Sequence, residues 1–204
     1  MKNIAVFVSG GGTNLQALID SEKAGKFPNG RIKLVISSSA DAYALKRAEQ
    51  AGIETMVVRR QDYTNGDLAD RFLADVCRDH DIDLVVLAGY LSILGSSFIR
   101  AFPNRILNIH PSLIPSFCGR GFYGLKVHEA ALERGVKVTG ATVHLVNEIP
   151  DGGPILLQKA VEVLDGDTPE VLQKRVMEQA EWKLLPEAVR IMCERLEENG
   201  HETC

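Results

Sequence analysis

The sequence contains no apolar run approaching the roughly 20 residues that a membrane-crossing helix needs, which excludes transmembrane spans. Its first apolar stretch, Ile4 to Val8, is too short and wrongly flanked for a secretory signal. The four cysteines, Cys77, Cys118, Cys193 and Cys204, include no C-x-x-C pair, and their spacings point to neither a zinc site nor a disulfide framework. Reduced thiols in a cytoplasmic protein are the expectation. Excess positive charge is lacking too: 23 Lys and Arg stand against 27 Asp and Glu, a formal charge of −4 at pH 7. That balance argues against a nucleic-acid surface with a basic stripe. It leaves room for one phosphorylated small molecule held by backbone N–H groups. Repeats, low-complexity segments and Ser/Gly/Pro-rich linkers are absent. What remains is an ordinary globular composition: 204 residues, 45% apolar and 25% charged. A single domain of that size needs no covalent staples for its core.

Short β-branched runs alternate with longer helical patterns through the first half. Asn3–Ser9, Arg31–Ser37, Glu54–Val58 and Asp83–Ala88 read as strands. Asn14–Ala24, Ala42–Ala51 and Asp67–Asp79 read as helices between them, the third carrying Leu68, Phe72, Leu73 and Val76. Strands separated by 10–15-residue helices imply right-handed crossovers and an open parallel sheet. The second half breaks this rhythm. A fifth strand, Ile106–His110, runs into Pro111 and Pro115, which cannot continue a regular ladder. A glycine-rich loop, Ser116 to Gly124, leads to a short helix over Val127–Glu133. Thr139–Val146 and Ile155–Val163 read as antiparallel strands, and Thr168–Glu198 as a helical end capped by Thr168, with Pro186 kinking or splitting it. The fold class is therefore α/β: an open, mostly parallel, doubly wound sheet, a mixed C-terminal extension and a long C-terminal helical segment.

Three segments carry chemistry. Ser9–Gly10–Gly11–Gly12–Thr13–Asn14 joins the first strand to the first helix, where glycines let a ligand approach and helix N–H groups attract an anion. It fits neither the dinucleotide fingerprint nor the P-loop, so a mononucleotide-type phosphate is the functional reading and a plain tight turn the bland one. Asn108–Ile109–His110–Pro111–Ser112 ends the fifth strand, at the edge where open α/β sheets bind ligands. Period two puts Asn108 and His110 on one side, an oxyanion stabiliser beside a proton donor or acceptor. Asp151–Gly152–Gly153–Pro154 is by itself an ordinary turn, yet its acid can reach His110 and favour the charged imidazole. His80 and His201 read as surface residues and His128 as facing solvent. His144 reads as a strand histidine that could line the same crevice. Glu181 is indistinguishable by composition from a solvent-facing glutamate.

Taken in order, these segments resemble the folate-dependent phosphoribosylglycinamide formyltransferases of the wider formyltransferase superfamily. The opening Ser9–Gly10–Gly11–Gly12–Thr13–Asn14–Leu15–Gln16–Ala17, the run Asn108 to Pro115, and the stretch from Gly135 through Thr139–His144 to Asp151–Ile155 all match, covering nearly the whole chain. The resemblance implies transfer of a formyl group from 10-formyltetrahydrofolate to the amine of glycinamide ribonucleotide, in de novo purine synthesis. It makes Asn108, His110 and Asp151 the catalytic trio and assigns Gly12, Thr13, Asn14, Gly89 and Glu181 to the nucleotide. Leu91, Ser92, Ile93 and Leu94, with Asn108, are assigned to the folate. Residues 1–105 become a nucleotide-binding half and residues 106–204 a catalytic and folate-binding half of one formyltransferase domain. No metal is implied, and the partners are the two small molecules, with no nucleic acid or membrane, in a monomer or homodimer. The chain departs from the family at Ser92 and Gly66, where basic residues are common, and at Trp182, where a histidine often follows the glutamate. A formyltetrahydrofolate hydrolase is the alternative, although that enzyme carries an extra N-terminal regulatory domain. Methionyl-tRNA formyltransferase and a non-catalytic phosphometabolite-binding module are more distant readings.

Overall fold

Strands covered on both faces need apolar side chains on both, and the uninterrupted aliphatic runs of this chain supply them. The computed structural model describes residues 1–201, with side chains for residues 1–198, so Cys204 and the side chain of His201 lie outside the described residues. The strands are β1 (Lys2–Val8), β2 (Gly30–Ser37), β3 (Glu54–Val57), β4 (Leu84–Leu87), β5 (Ile106–His110), β6 (Val138–Leu145) and β7 (Ile155–Glu162). They form one sheet in the order β3-β2-β1-β4-β5-β6-β7. The first five are parallel, and β6 and β7 add on antiparallel. The helices are α1 (Thr13–Lys23), α2 (Tyr43–Gln50), α3 (Gly66–Asp79), α4 (Ser96–Ala101), α5 (Leu125–Arg134), α6 (Pro169–Val176) and α7 (Trp182–His201).

Alternation along β1 shows how the two layers form. Ile4, Val6 and Val8 pack with Leu15, Leu18 and Ile19 of α1 and with Leu185 and Val189 of α7. Ala5 and Phe7 point the other way, toward Leu73 of α3 and Phe98 of α4. The Phe7 and Phe98 rings lie 5.5 Å apart, and Phe98 stacks on Phe102 at 5.2 Å. The strand order reverses between β1 and β4, so the loops leaving their C-terminal ends diverge and open a crevice. Ser9–Thr13, Gly89–Leu94 and the end of β5 all reach that rim.

The expected elements form with ends shifted by one or two residues. One element, the six-residue α4, has no counterpart in the sequence reading, because it is too short to show a helical period. Three expectations need correction. On α3, Leu73 and Val76 are buried, but Leu68 and Phe72 are exposed, and Phe72 packs on Tyr63 at 5.7 Å. His128 does not face solvent. Its side chain is fully buried in α5 with neither ring nitrogen hydrogen-bonded, and desolvation, followed by the His110 charge, pushes its pKa down to about 4. Of the two effects expected of Pro186, a kink or a split, the split does not occur: the residue lies inside α7. The interruption is a π-turn at Met177–Glu181, just before α7 begins. Thr168 caps α6 as expected, its hydroxyl oxygen accepting from the Val171 N–H, with Pro169 in the first turn.

A buried ion pair joins the two ends of the α3–α4 layer. The Asp70 side chain is 3% exposed and pairs with the Arg60 guanidinium, which also donates to the Gly66 carbonyl at 3.1 Å. The other Asp70 oxygen accepts the Gly95 N–H at 3.0 Å, where the chain enters α4. Removing one member of such a pair strands a buried charge. Arg60→Met should therefore cost roughly 3–5 kcal/mol in chemical denaturation, and Arg60→Met with Asp70→Leu should recover much of the loss. A double variant no more stable than the single one would show that the pair itself holds this layer.

Candidate active site at the sheet's switch point

The loop after β1 is built to present backbone donors. Gly12 sits at the N-terminus of α1 with φ 72°, and a Cβ there would lie 2.6 Å from the Ala44 methyl carbon. Glycine is thus required both for the left-handed turn and for the approach of α2. No side chain caps α1, so its leading N–H groups and the positive end of its dipole face outward for an anion. Arg47 braces the loop, donating from Nε to the Gly11 carbonyl at 2.8 Å and from Nη1 to Gln16 at 3.1 Å. Ser9 ties it to the next segment: its hydroxyl lies 2.6 Å from that of Ser38 and accepts the Leu91 N–H at 2.8 Å.

Behind the loop, Asn14 and Glu181 form a buried pair. Asn14 Nδ2 donates to Glu181 Oε2 at 2.7 Å, across 167 residues of sequence. The glutamate is only 6% exposed, contrary to its bland appearance in sequence, because it closes the π-turn that precedes α7. Burial pushes its pKa up to about 7, with the Asn14 hydrogen bond acting in the opposite direction. Thr13 joins this cluster through its hydroxyl, 3.7 Å from Met177 Sδ.

The trio meets at the other side of the crevice. Asn108 and His110 share the side of β5 opposite Leu107 and Ile109, as the two-residue period requires. Asn108 Nδ2 donates to Asp151 Oδ1 at 3.3 Å, and His110 Nδ1 lies 3.7 Å from Asp151 Oδ2. His110 Nε2 is 2.9 Å from the Phe117 carbonyl, which assigns it a proton. Asp151 has φ 53°, which Asp tolerates, and Gly153 lets the turn close, since any Cβ there would collide with the Leu145 carbonyl. Burial disfavours the Asp151 charge. The His144 hydrogen bond, the His110 charge and the Gly119 N–H at 2.8 Å together outweigh that cost and hold its pKa below the usual carboxylate value.

His144 belongs to the same constellation, which the sequence left as the lesser reading. Antiparallel pairing sets it directly opposite Asn108, with Nε2 3.1 Å from Asn108 Nδ2 and 3.5 Å from Asp151. Its Nδ1 contacts the Leu145 carbonyl at 2.9 Å, so neutral His144 offers Nε2 as an acceptor to Asn108 and protonated His144 donates to Asp151. The only signal in the sequence was alternation along β6, and the register that made it matter was invisible there. Also missed were the Phe117 carbonyl and Gly119 amide, supplied by the loop before α5.

A cavity of about 590 Å³ opens over the trio. Its walls are Gly89, Tyr90, Leu91, Ser92 and Ile93 on one side and the 119–124 loop on the other. Leu94 faces elsewhere: it is buried in the core and lines an adjoining recess of about 120 Å³ beside His144 and Ile149. Gly12, Thr13, Asn14 and Glu181 form their own cluster outside the cavity wall. The Ser9–Leu91 hydrogen bond connects the two. Such a site suits a ligand with an anionic group at the α1 end and a reacting carbonyl near Asn108 and His110. Among the described residues, no three His, Cys, Asp or Glu side chains group to hold a metal ion.

A family model described as formyl transferase matches residues 2–189. The chain is 44% identical to the chloroplastic phosphoribosylglycinamide formyltransferase of Arabidopsis thaliana, over 95% of this chain and 66% of that protein, just under two thirds of its length. It is 42% identical to the phosphoribosylglycinamide formyltransferase of Haemophilus influenzae, over 98% of this chain and 92% of that one. Glycinamide ribonucleotide transformylase 1 from Symbiobacterium toebii has the same fold, with a TM-score of 0.89 at 46% identity over 95% of this chain and 88% of that one.

The Glu181 environment gives a signed pH effect. With a folded pKa of about 7 against an ordinary 4.5, the folded state holds this proton more tightly than the unfolded state. That stability is complete below pH 4.5 and is lost as pH rises through 7. Glu181→Gln keeps an acceptor for Asn14 without the charge. In thermal denaturation it should gain several degrees over the parent at pH 8 and little at pH 5. An equal effect at both pH values would mean that the carboxylate ionises freely in the fold.

Proposed function

The chain belongs to the formyl transferase family, and we propose that it moves the formyl group of 10-formyltetrahydrofolate to the primary amine of glycinamide ribonucleotide. The observation that carries this reading is the meeting of Asn108, His110 and Asp151 over one cavity, with an uncapped helix N-terminus anchored beside it through Ser9. In this reading the N–H groups after Gly12, with Thr13 and Asn14, take the substrate phosphate and ribose. Glu181 meets the glycinamide end, and Gly89 lines its path. Leu91, Ser92 and Ile93 form one wall for the donor, with Leu94 behind them. Residues 1–105 thus supply most of the nucleotide contacts and one wall for the donor, residues 106–204 the formyl chemistry, and the two halves are joined through Asn14 and Glu181. The unpaired cysteines support a cytoplasmic setting, and the working unit is a monomer or homodimer.

The steps follow from what these groups can do. The amine attacks the formyl carbon, and the carbonyl oxygen becomes an oxyanion. Asn108 Nδ2–H and protonated His110 stabilise that charge where it develops. Asp151, itself held ionised, lies 3.7 Å from the His110 ring and supplies its counter-charge. It also assists the proton on its way from the attacking amine to the departing N10 of the folate. With His144 donating from Nε2 to Asp151, Asn108 spends one Nδ2–H on that acid and keeps the other for the oxyanion. The transfer is direct, with no covalent enzyme intermediate.

Absorbance-monitored loss of 10-formyltetrahydrofolate, with and without glycinamide ribonucleotide, tests the reading. Loss that requires the nucleotide is expected. Loss without it identifies the formyltetrahydrofolate hydrolase instead, and no loss in either case returns the site to a binding role. His110→Ala should lower kcat by roughly 10²- to 10⁴-fold, the usual worth of a positioned acid–base group. Asn14→Ala should raise the KM for the nucleotide far more than that for the donor, whereas an equal rise in both would indicate damage to the fold.

A further inference from the structure

The donor cavity has an uneven distribution of charge. Its floor, Leu91–Ser92–Ile93, contributes none. The arginine behind that floor, Arg60, is spent on Asp70 and the Gly66 carbonyl, and it fills the space that a side chain at Gly66 would need. Arg100, on α4, pairs with Glu148 at 3.6 Å. Of the side chains lining the cavity, Asp151 and Arg120 carry permanent charge, and the His110 ring lies 3.7 Å from Asp151. Asp151 lies at the catalytic end. Arg120 lies on the exposed 119–124 loop between Gly119 and Gly121, and among the described residues it makes no ion pair or side-chain hydrogen bond. Lys126 is occupied nearby, 4.7 Å from the centre of the Tyr123 ring that it props against the cavity, with Nζ 3.1 Å from the Tyr123 hydroxyl.

From this asymmetry we propose that Arg120 recognises the carboxylates at the far end of the formyl donor, so that the cation selecting the donor sits on the loop and not on the sheet's floor. The inference rests on the donor assignment above. A folate has an uncharged ring system carrying the formyl group at one end and one or more glutamyl carboxylates at the other. A carboxylate entering first would be repelled by ionised Asp151 and drawn back to Arg120. The neutral formyl end is then the one that reaches Asn108 and His110. The position of Arg120 couples recognition to catalysis. The neighbouring Gly119 N–H is bonded to Asp151 Oδ2 at 2.8 Å, and Phe117 two residues earlier meets His110. Holding the donor's tail at Arg120 therefore also holds the backbone that keeps Asp151 ionised.

The test compares donors bearing one and three glutamyl residues on the intact protein. A single exposed pair contributes modestly, so Arg120→Gln should raise the KM for the triglutamyl donor roughly three- to fivefold and Arg120→Glu about tenfold or more. The monoglutamyl donor should lose less, and the KM for glycinamide ribonucleotide should hold. The parent's preference for the triglutamyl form should also fall with added salt, and Arg120→Gln should abolish that salt dependence. Arg134→Gln, at an exposed site on the end of α5, serves as the control and should change none of these. If both Arg120 variants keep the parent's triglutamyl preference and its salt dependence, Arg120 is not the selecting cation. A parent protein that turns over neither donor overturns the donor assignment itself, and this inference with it.

Discussion

The Asp151 carboxylate must remain charged while mostly removed from water, and much of the site can be understood as the means of satisfying it. Burying an unpaired carboxylate costs several kcal/mol, so the fold has to bring compensating donors and positive charge to one point. The donors come from four places in the chain: Asn108 and His110 on β5, His144 on β6, and the Gly119 N–H in the loop. β5 must end at the rim for its alternate residues to face the acid. β6 must run antiparallel, since that register sets His144 across from Asn108. The turn carrying Asp151 must then close tightly, which only Gly153 permits against the Leu145 carbonyl. The departure from parallel pairing in the second half of the sheet is what delivers these groups together.

The first half of the chain answers a different demand. Its parallel strands and crossover helices leave a gap between β1 and β4, and both loops at that gap are short. A hydroxyl suffices to join them: Ser9 accepts the Leu91 N–H and shares a hydrogen bond with Ser38. On one side of that link lies a helix N-terminus with free donors, and on the other the wall of the donor cavity. The two substrates of the proposed reaction would be registered against each other by backbone rigidity, which is the geometric condition for an amine to meet a formyl carbon at low entropic cost.

The fold and the side-by-side placement of Asn108 and His110 were legible in sequence for physical reasons that also explain what was not. Aliphatic runs such as Ile4–Val8 and Leu84–Leu87 can only be central strands, and the alternation of Asn108 with His110 needs no tertiary information. Glu181 and His128 could not be read that way. Both are polar residues in helical segments with no local reason to be inside. Glu181 turns inward because a π-turn interrupts the helix at Met177–Glu181, whereas Pro186, the visible breaker, leaves α7 intact. His128 is buried by the packing of α5, a contact with no periodic signature. The basic residues common in the family at positions 66 and 92 looked like simple losses. At position 66 the Arg60 guanidinium, reaching across from the preceding turn, occupies the place of a Cβ, so a side chain there would have to push it aside.

Their surroundings move three titratable groups around the crevice in directions that suit one another. Asp151 is held ionised, His128 is held neutral behind His110, and Glu181 is held protonated up to about pH 7. A charged His128 would repel a positive His110 and weaken its attraction to Asp151, and desolvation removes that competitor. A charged Glu181 would repel a phosphate arriving at α1, while the neutral acid keeps an O–H to donate. Each buried group is thus kept in the state that the neighbouring chemistry requires. Near neutral pH the site can then hold one negative charge at the reacting end and an approach without opposing negative charge for the nucleotide at the other. As pH rises through 7 the Glu181 carboxyl ionises, and the second condition fails.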